Sequence, residues 1–301
     1  MQPDVIVGAG LTGLLAAHAW PRATIIEQMP EPKETHRALL RFRSDAVARL
    51  TGAEFKKVKV RKGIWLEGEF VQPSIRVANL YAQKIMPGTI LGERSIWNID
   101  PVDRYVAADT FYEELLDAAS KRITWGAQAK YHDGVFVSTA PLPEVIGENG
   151  VNDYSPGIEF KRAAIHVWRF DVHGADIYQT VYFADRSTSI YRASMTGRTL
   201  IVEAMSRAAP DDLPRVFEAF ALGSQPIRPL DQSTQRYGKI APINEAVRRE
   251  LLFRLTHDYK IYSLGRFATW RNILLDDVVN DIDVIKRLMR SGDSYELKKS
   301  S

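Results

Sequence analysis

The chain has 301 residues, 45% hydrophobic and 26% charged, a composition that fits a folded protein of one large or two moderate domains. No apolar run approaches the length of a membrane span, and the start of the chain lacks the basic and apolar regions of a signal peptide, so a soluble cytoplasmic protein is expected. The net charge of +3 neither demands nor forbids a polyanionic ligand, and zero cysteines exclude disulfides, thiolate metal sites, cysteinyl-flavin links and redox dithiols.

The first stretch, DVIVGAGLTGLLAAHAWPRATIIE, runs from Asp4 to Glu27. An apolar run enters a turn with Gly8, Gly10 and Gly13 in G-x-G-x-x-G spacing, a helix-like segment follows, and a second apolar run ends on Glu27. Gly8 makes the tight turn, Gly10 lets the backbone approach a pyrophosphate, and Gly13 lets helix pack on strand. The helix N-terminus offers N–H groups to phosphates, and Glu27 can accept hydrogen bonds from ribose hydroxyls. An acid there favours FAD or NAD over NADP, whose 2′-phosphate it would repel.

A polar, Pro-rich link precedes RALLRFRS (Arg37–Ser44), where Arg41 or Arg43 either points to an anion or is simply solvated. KKVKVRK (Lys56–Lys62) alternates basic and apolar residues like an exposed edge strand, either solvated or following a phosphate backbone. Asn79 and Tyr81 fall in a helix before a Pro87-Gly88 turn. DTFYEELLDAAS reads as a helix capped by Asp109, with Phe111, Leu115 and Leu116 on one face. RITWGAQAKY and VFVSTAPLP read as strand, turn, strand, the second ending at Ser138-Thr139. AIHVWRFDV, IYQTVYFA, SIYRAS and TLIVEAM alternate like four antiparallel strands of a second domain. Helices are expected over Asp211–Ala221, Pro242–His257 and Leu275–Met289. His18, His36, His132, His166, His173 and His257 are scattered without ligand spacing, so no metal site is expected.

Near the far end, YKIYSLGRFATWRNILLDDVV is a strand, Gly265-Arg266, a connector and a helix. It resembles the late strand and glycine of flavoproteins related to glutathione reductase. It is similar to the ending of UDP-galactopyranose mutases at Gly265, Arg266, Trp270 and Asp276-Asp277. VFVSTAPLP resembles the strand after that family's β-meander, and Arg192 in SIYRAS is the best match to a mutase substrate arginine. The mutases' His-rich segment is replaced here by RALLRFRS. HRALLRFRS, NIDPVDRYVAADTFYEELL, IYQTVYF with SIYRASMTG, and RYGKIAPI with SLGRFATWRNILLDD resemble phage-encoded flavoproteins that accompany thymidine-hypermodification enzymes.

These resemblances imply an α/β fold, with a Rossmann-like FAD-binding domain (1–75, 100–160 and 235–301) and an inserted antiparallel β-sheet substrate domain (76–99 and 161–234). They imply FAD as cofactor, held by Gly8, Ala9, Gly10, Leu11, Thr12, Gly13, Glu27, Gln28, Leu40, Arg41, Gly265, Arg266, Leu275 and Asp276. The implied activity is oxidation of a glycine adduct of thymine in phage DNA to give 5-aminomethyluracil, with modified DNA or a nucleotide as partner. The alternative is a mutase-like reaction on a nucleotide sugar. Tyr191, Arg192, Arg43 and Trp270 are the expected catalytic residues, with Tyr105 and Arg271 as further neighbours of the substrate. Arginine can grip a carboxylate bidentately, and an aromatic ring can stack on a flipped base.

Overall fold

β1 (Val5–Val7) passes through the glycine turn into α1 (Leu11–Ala19), and β2 (Thr24–Glu27) returns parallel to β1. The computed structural model describes residues 2–31, 40–86, 96–149, 157–207, 209–223 and 225–299, and of 209, 210 and 292–299 the backbone alone. The Pro87-Gly88 turn and the first three residues of RALLRFRS lie outside the described residues.

The chain continues with β3 (Arg41–Phe42), α2 (Ala46–Thr51), β4 (Lys56–Leu66), β5 (Glu69–Val71), α3 (Ile75–Ile85), β6 (Val102–Val106) and α4 (Phe111–Ala119). β7 (Ile123–Trp125), β8 (Phe136–Ser138) and α5 (Leu142–Glu148) follow, then β9 (Arg162–Val172), β10 (Ile177–Phe183), β11 (Ile190–Gly197) and β12 (Thr199–Ala204). Last come α6 (Leu213–Ala219), β13 (Ile227–Ile240), α7 (Glu245–Tyr259), β14 (Ile261–Ser263) and α8 (Leu275–Lys299).

Two sheets result. The first is parallel throughout, in the order β14-β8-β1-β2-β7. Its strands are short and apolar because helices cover both faces. α1 is apolar nearly all round and sits in that core with Phe42, Phe111, Leu115, Val278 and Ile282. Its C-terminal end is capped from afar, where the Arg122 guanidinium donates to the carbonyls of Ala17 (3.3 Å), Trp20 (3.4 Å) and Ala23 (3.1 Å).

The second sheet has the order β13-β9-β12-β11-β10-β4-β6-β3, with β5 attached to β4. The four strands expected from alternation are β9 to β12, all antiparallel to their neighbours within that set. Their inner face carries Phe170, Val181, Ala193, Met195, Leu200 and Val202 against α6. β3, β4 and β6, from segments assigned above to the nucleotide half, are hydrogen-bonded into this sheet.

Two expectations need correction, and one strand is absent from the sequence reading. KKVKVRK is not an edge strand of the sheet, because β4 lies between β10 and β6: Lys56–Val60 pair with β6 and Arg61 and Lys62 with β10, and Lys57 and Lys59 are both paired to Asp103 on β6. Alternation reports one wet face and is the same for edge and interior strands. α4 is entered from Thr110 rather than Asp109, and Thr110 Oγ1 donates to Glu114 instead of capping an N–H. β13, the longest strand, has no counterpart in the sequence reading, because its mostly polar residues lie on an exposed outer strand.

α3 is latched to the sheet by Lys84, whose ammonium reaches the carbonyls of Phe183, at 2.9 Å, and Ile190. Burial pushes the Lys84 pKa down to about 7, against the pull of Asp185 and Asp212 and with a further push from Arg215. Among the described residues no helix is long and apolar enough to cross a membrane.

Candidate active site

The glycine turn is closed on two sides and open on the third. A Cβ on Gly8 (φ +98°) would lie 2.3 Å from Thr139 Oγ1, and one on Gly13 would lie 1.8 Å from the Gly8 carbonyl oxygen. These two glycines are fixed by the fold itself. Gly10 is exposed, in an extended conformation, and a Cβ there would meet no atom within 4 Å. That open side, at the N-terminus of α1, is a cradle of the kind a pyrophosphate fills. Beside it, Glu27 accepts the Ala9 N–H at 2.7 Å through Oε2 and the Met29 N–H at 2.9 Å through Oε1. Each oxygen keeps acceptor capacity for a ribose hydroxyl. Ala9 and Leu11 are buried supports, while Gln28 is exposed at the end of the acidic strand.

The far end of the chain completes the groove. Gly265 (φ +91°) presses on the glycine turn, since a Cβ there would lie 2.7 Å from Thr12 Cγ2. The Leu264 N–H donates to Ser138 O at 2.9 Å, so the strands carrying Gly265 and Thr139 end side by side. Leu40 and Leu275 pack at the margin of the core around α1. Asp276, only 6% exposed, accepts the N–H groups of Arg43 (3.1 Å) and Ser44 (2.9 Å) and the Ser44 hydroxyl (2.9 Å). It therefore binds the chain after β3 to the start of α8. The Arg43 guanidinium turns to Asp277 at 2.6 Å. Asp276→Ala should destabilise the protein by about 1–2 kcal/mol, read as a lowered urea midpoint, because it removes the buried acceptor of three part-buried donors.

On the second sheet an irregularity between Ile190 and Arg192 lets consecutive residues turn to one side. There the Tyr191 hydroxyl donates to Glu203 Oε1 at 3.0 Å, and Arg192 grips both Glu203 oxygens, Nη2 to Oε1 at 2.7 Å. The Lys239 ammonium lies 4.2 Å from the Tyr191 ring centre. Burial would raise the Glu203 carboxyl, but the Arg192 charge, the hydrogen bonds from Arg192 and Tyr191 and the Lys239 charge together outweigh it and hold the group below its usual range. Burial and then Glu203 push the Tyr191 hydroxyl well above its ordinary value, so it stays a donor.

Arg41 reaches this sheet from β3. It donates to Thr196 Oγ1 (2.6 Å), Thr180 Oγ1 (3.1 Å), Gln179 O (3.2 Å) and Met195 O. Burial, then the neighbouring Arg192, push its pKa down to about 9, still protonated at neutral pH. Arg266, next to Gly265, feels Tyr191, Arg192 and Glu203, and donates to Gly238 O (3.4 Å) and Asn272 Oδ1 (3.2 Å). Its Nε is buried with no partner.

The structure thus brings Tyr191, Arg192 and Arg266 together, with Arg41 beside them. It places Trp270 elsewhere. That ring is 2% exposed, packs edge-on against Phe160 and Tyr237, and donates to Ala241 O at 2.8 Å. Aromatic residues near a glycine turn serve the core as readily as a ligand. Arg271 is paired with Asp281, and Tyr105 lies on β6 beneath the Lys57 ammonium. Sequence reasoning missed Glu203 and Lys239. A lone acid inside the apolar strand TLIVEAM was a readable signal for the first.

No protein-family model and no curated protein matches the chain. Among solved structures, reduced UDP-galactopyranose mutase superposes with a TM-score of 0.62 at 14% identity, covering 95% of this chain and 96% of the other. The fold is that of UDP-galactopyranose mutase. An oxidoreductase from Methanosarcina mazei matches with a TM-score of 0.56 at 10% identity, over 94% of this chain and 99% of its own. A geranylgeranyl bacteriochlorophyll reductase-like protein from Thermoplasma acidophilum matches at 0.52 and 12% identity, over 97% and 80%. The expected Rossmann-like domain with a second, sheet-based domain is therefore present. The mutase likeness runs through both sheets, whereas in sequence it was confined mainly to the nucleotide half.

Proposed function

We propose that the protein is an FAD-dependent oxidoreductase of the amine oxidase type. The observation that carries this reading is the placing of Arg266, which follows Gly265 beside the open Gly10 cradle, within electrostatic reach of Tyr191 and Arg192 on the second sheet. The Gly8–Gly13 turn and Glu27 would hold the ADP half of FAD, and Gly265 and Arg266 the flavin half. When bound, FAD supplies a two-electron acceptor.

The proposed substrate is a glycine unit joined through nitrogen to the thymine methyl carbon in DNA. Two electrons and two protons leave its Cα–N unit, water adds, and glyoxylate departs, leaving 5-aminomethyluracil. The chain's own part is to bind and orient. The arginines grip the glycine carboxylate, and the buried Tyr191–Glu203 bond fixes the sheet face.

Purification should give a yellow protein that releases FAD on denaturation; a colourless protein that takes up no FAD would remove the cofactor assignment. Incubation with DNA carrying the adduct should yield 5-aminomethyluracil and glyoxylate in equal amounts. The chain-long likeness to UDP-galactopyranose mutase favours a second reading, a reaction on a nucleotide sugar. Dependence on a reductant and binding of a UDP-sugar, with no base change in DNA, would select it.

A further inference from the structure

The basic stretch Lys56–Lys62 has no part in the chemistry proposed above. It is the first half of β4, hydrogen-bonded to β6 through Val60 and to β10 from Arg61. Alternate residues of a strand share a face and stand about 6.7 Å apart. Val58 and Val60 turn inward and are buried, while Lys57, Lys59 and Arg61 are exposed on the opposite face. The two lysine side chains are 58% and 69% exposed and share one acid, Asp103, at 3.1 and 3.5 Å. Among the described residues Arg61 forms no ion pair. Three cations therefore stand against one paired anion on an open face of hydrogen-bonded backbone. The whole chain is nearly balanced, with 40 basic and 37 acidic residues, so this excess is local.

The stripe is separate from the candidate active site. Lys62 faces the other way, in register with Thr180, whose hydroxyl accepts from Arg41. β4 thus turns one face toward the site and the other, bearing the stripe, away from it.

We propose that Lys57, Lys59 and Arg61 form a docking track for the phosphate backbone of DNA, apart from the place where the base reacts. The inference rests on the function proposed above for its polymeric substrate, and adds a holding surface to it. The repeat of the stripe is close to the separation of neighbouring phosphates along one strand. Side chains so spaced can hold the backbone without reading its sequence. Asp103 competes with the DNA for both lysines, so it acts as a brake on binding.

Fluorescence anisotropy of a labelled DNA duplex free of modified bases, titrated with the purified protein at several salt concentrations, reads the track. The slope of log affinity against log salt follows the number of phosphates engaged. Wild type should bind, and Arg61→Gln should weaken binding roughly threefold or more and reduce the slope by about one. Asp103→Asn should act in the opposite direction and tighten binding, because it releases both lysines to the phosphates. Arg249→Gln, exposed on α7 and equal in its change of charge, should match wild type in affinity and slope.

A loss in Arg249→Gln equal to that in Arg61→Gln would reduce the effect to net charge and overturn the track. So would unchanged or weaker binding by Asp103→Asn, which carries the test alone should Arg61→Gln fail to fold. Capture by phosphatidylserine vesicles as strong as by DNA, and lost alike in Arg61→Gln, would assign the stripe to a membrane surface and overturn its assignment to DNA. The probe carries no glycine adduct, so binding is read apart from oxidation. A wild type that binds no duplex overturns the track alone, whereas a protein without flavin removes the function proposed above, so the two failures are separable.

Discussion

Gly10→Val is expected to fold normally and to purify without FAD. The backbone at Gly10 has φ −71° and ψ 175°, which valine adopts readily, and no protein atom lies within 4 Å of the added Cβ. The space that the side chain takes is the space the pyrophosphate needs. Gly13→Ala, a smaller change, is expected to do more harm. Its Cβ would lie 1.8 Å from the Gly8 carbonyl oxygen and 2.9 Å from the carbonyl carbon, both backbone atoms that cannot swing aside. The cost should reach about 3 kcal/mol or more, the upper end of overpacking effects. Paired measurements of bound flavin and of the urea midpoint of the flavin-free proteins test this. Gly10→Val should change the first and not the second, and Gly13→Ala should change both. A stable Gly10→Val with stoichiometric flavin would mean that the dinucleotide lies elsewhere.

Heat stability should rise between pH 7 and pH 10. Lys84 sits at about 7 in the fold against 10.5 in the unfolded chain, so across that window the unfolded state binds the additional proton. Stability then grows with pH until the unfolded lysine also loses its charge. Lys84 is partly exposed, which reduces the effect to about 3 kcal/mol. In Lys84→Met the Lys84 share of that slope should vanish, leaving only the rise above about pH 9 that the lowered Arg41 contributes. Absolute stability is a poor gauge here, because the variant also deprives the Phe183 and Ile190 carbonyls of a donor. The difference in slope between the two proteins is the measurement, and parallel curves would show that α3 is not held by a titrating latch.

What could be read from the sequence follows from how local each signal is. The glycine turn, the acid at Glu27 and the alternation of β9 to β12 are constraints within a few residues, and the fold shows all of them. Arg41 and Glu203 depend on strand register. Nothing near Arg41 in sequence announces that Thr180 and Thr196 will stand opposite its guanidinium, since that follows from how β10 pairs with β11. Trp270 and Arg192 are alike candidates by residue type, and packing sets Trp270 in the core while Arg192 stands paired to Glu203 on the sheet. β13 was invisible for a related reason, its pairing to β9 coming from backbone hydrogen bonds that polar side chains do not advertise.

The contact between Thr12 and Gly265 also has a meaning in time. During synthesis the glycine turn emerges early, while the wall that closes the groove arrives only after every strand of the second sheet has been translated. A parallel sheet whose edge strand β14 comes last cannot be completed by local pairing, so its assembly waits on the distant segment. Capture of the proposed FAD would therefore be a late event, open only to chains already made through β14. Flavin content would then report completed folding, and molecules stalled earlier would remain colourless and distinguishable from finished ones.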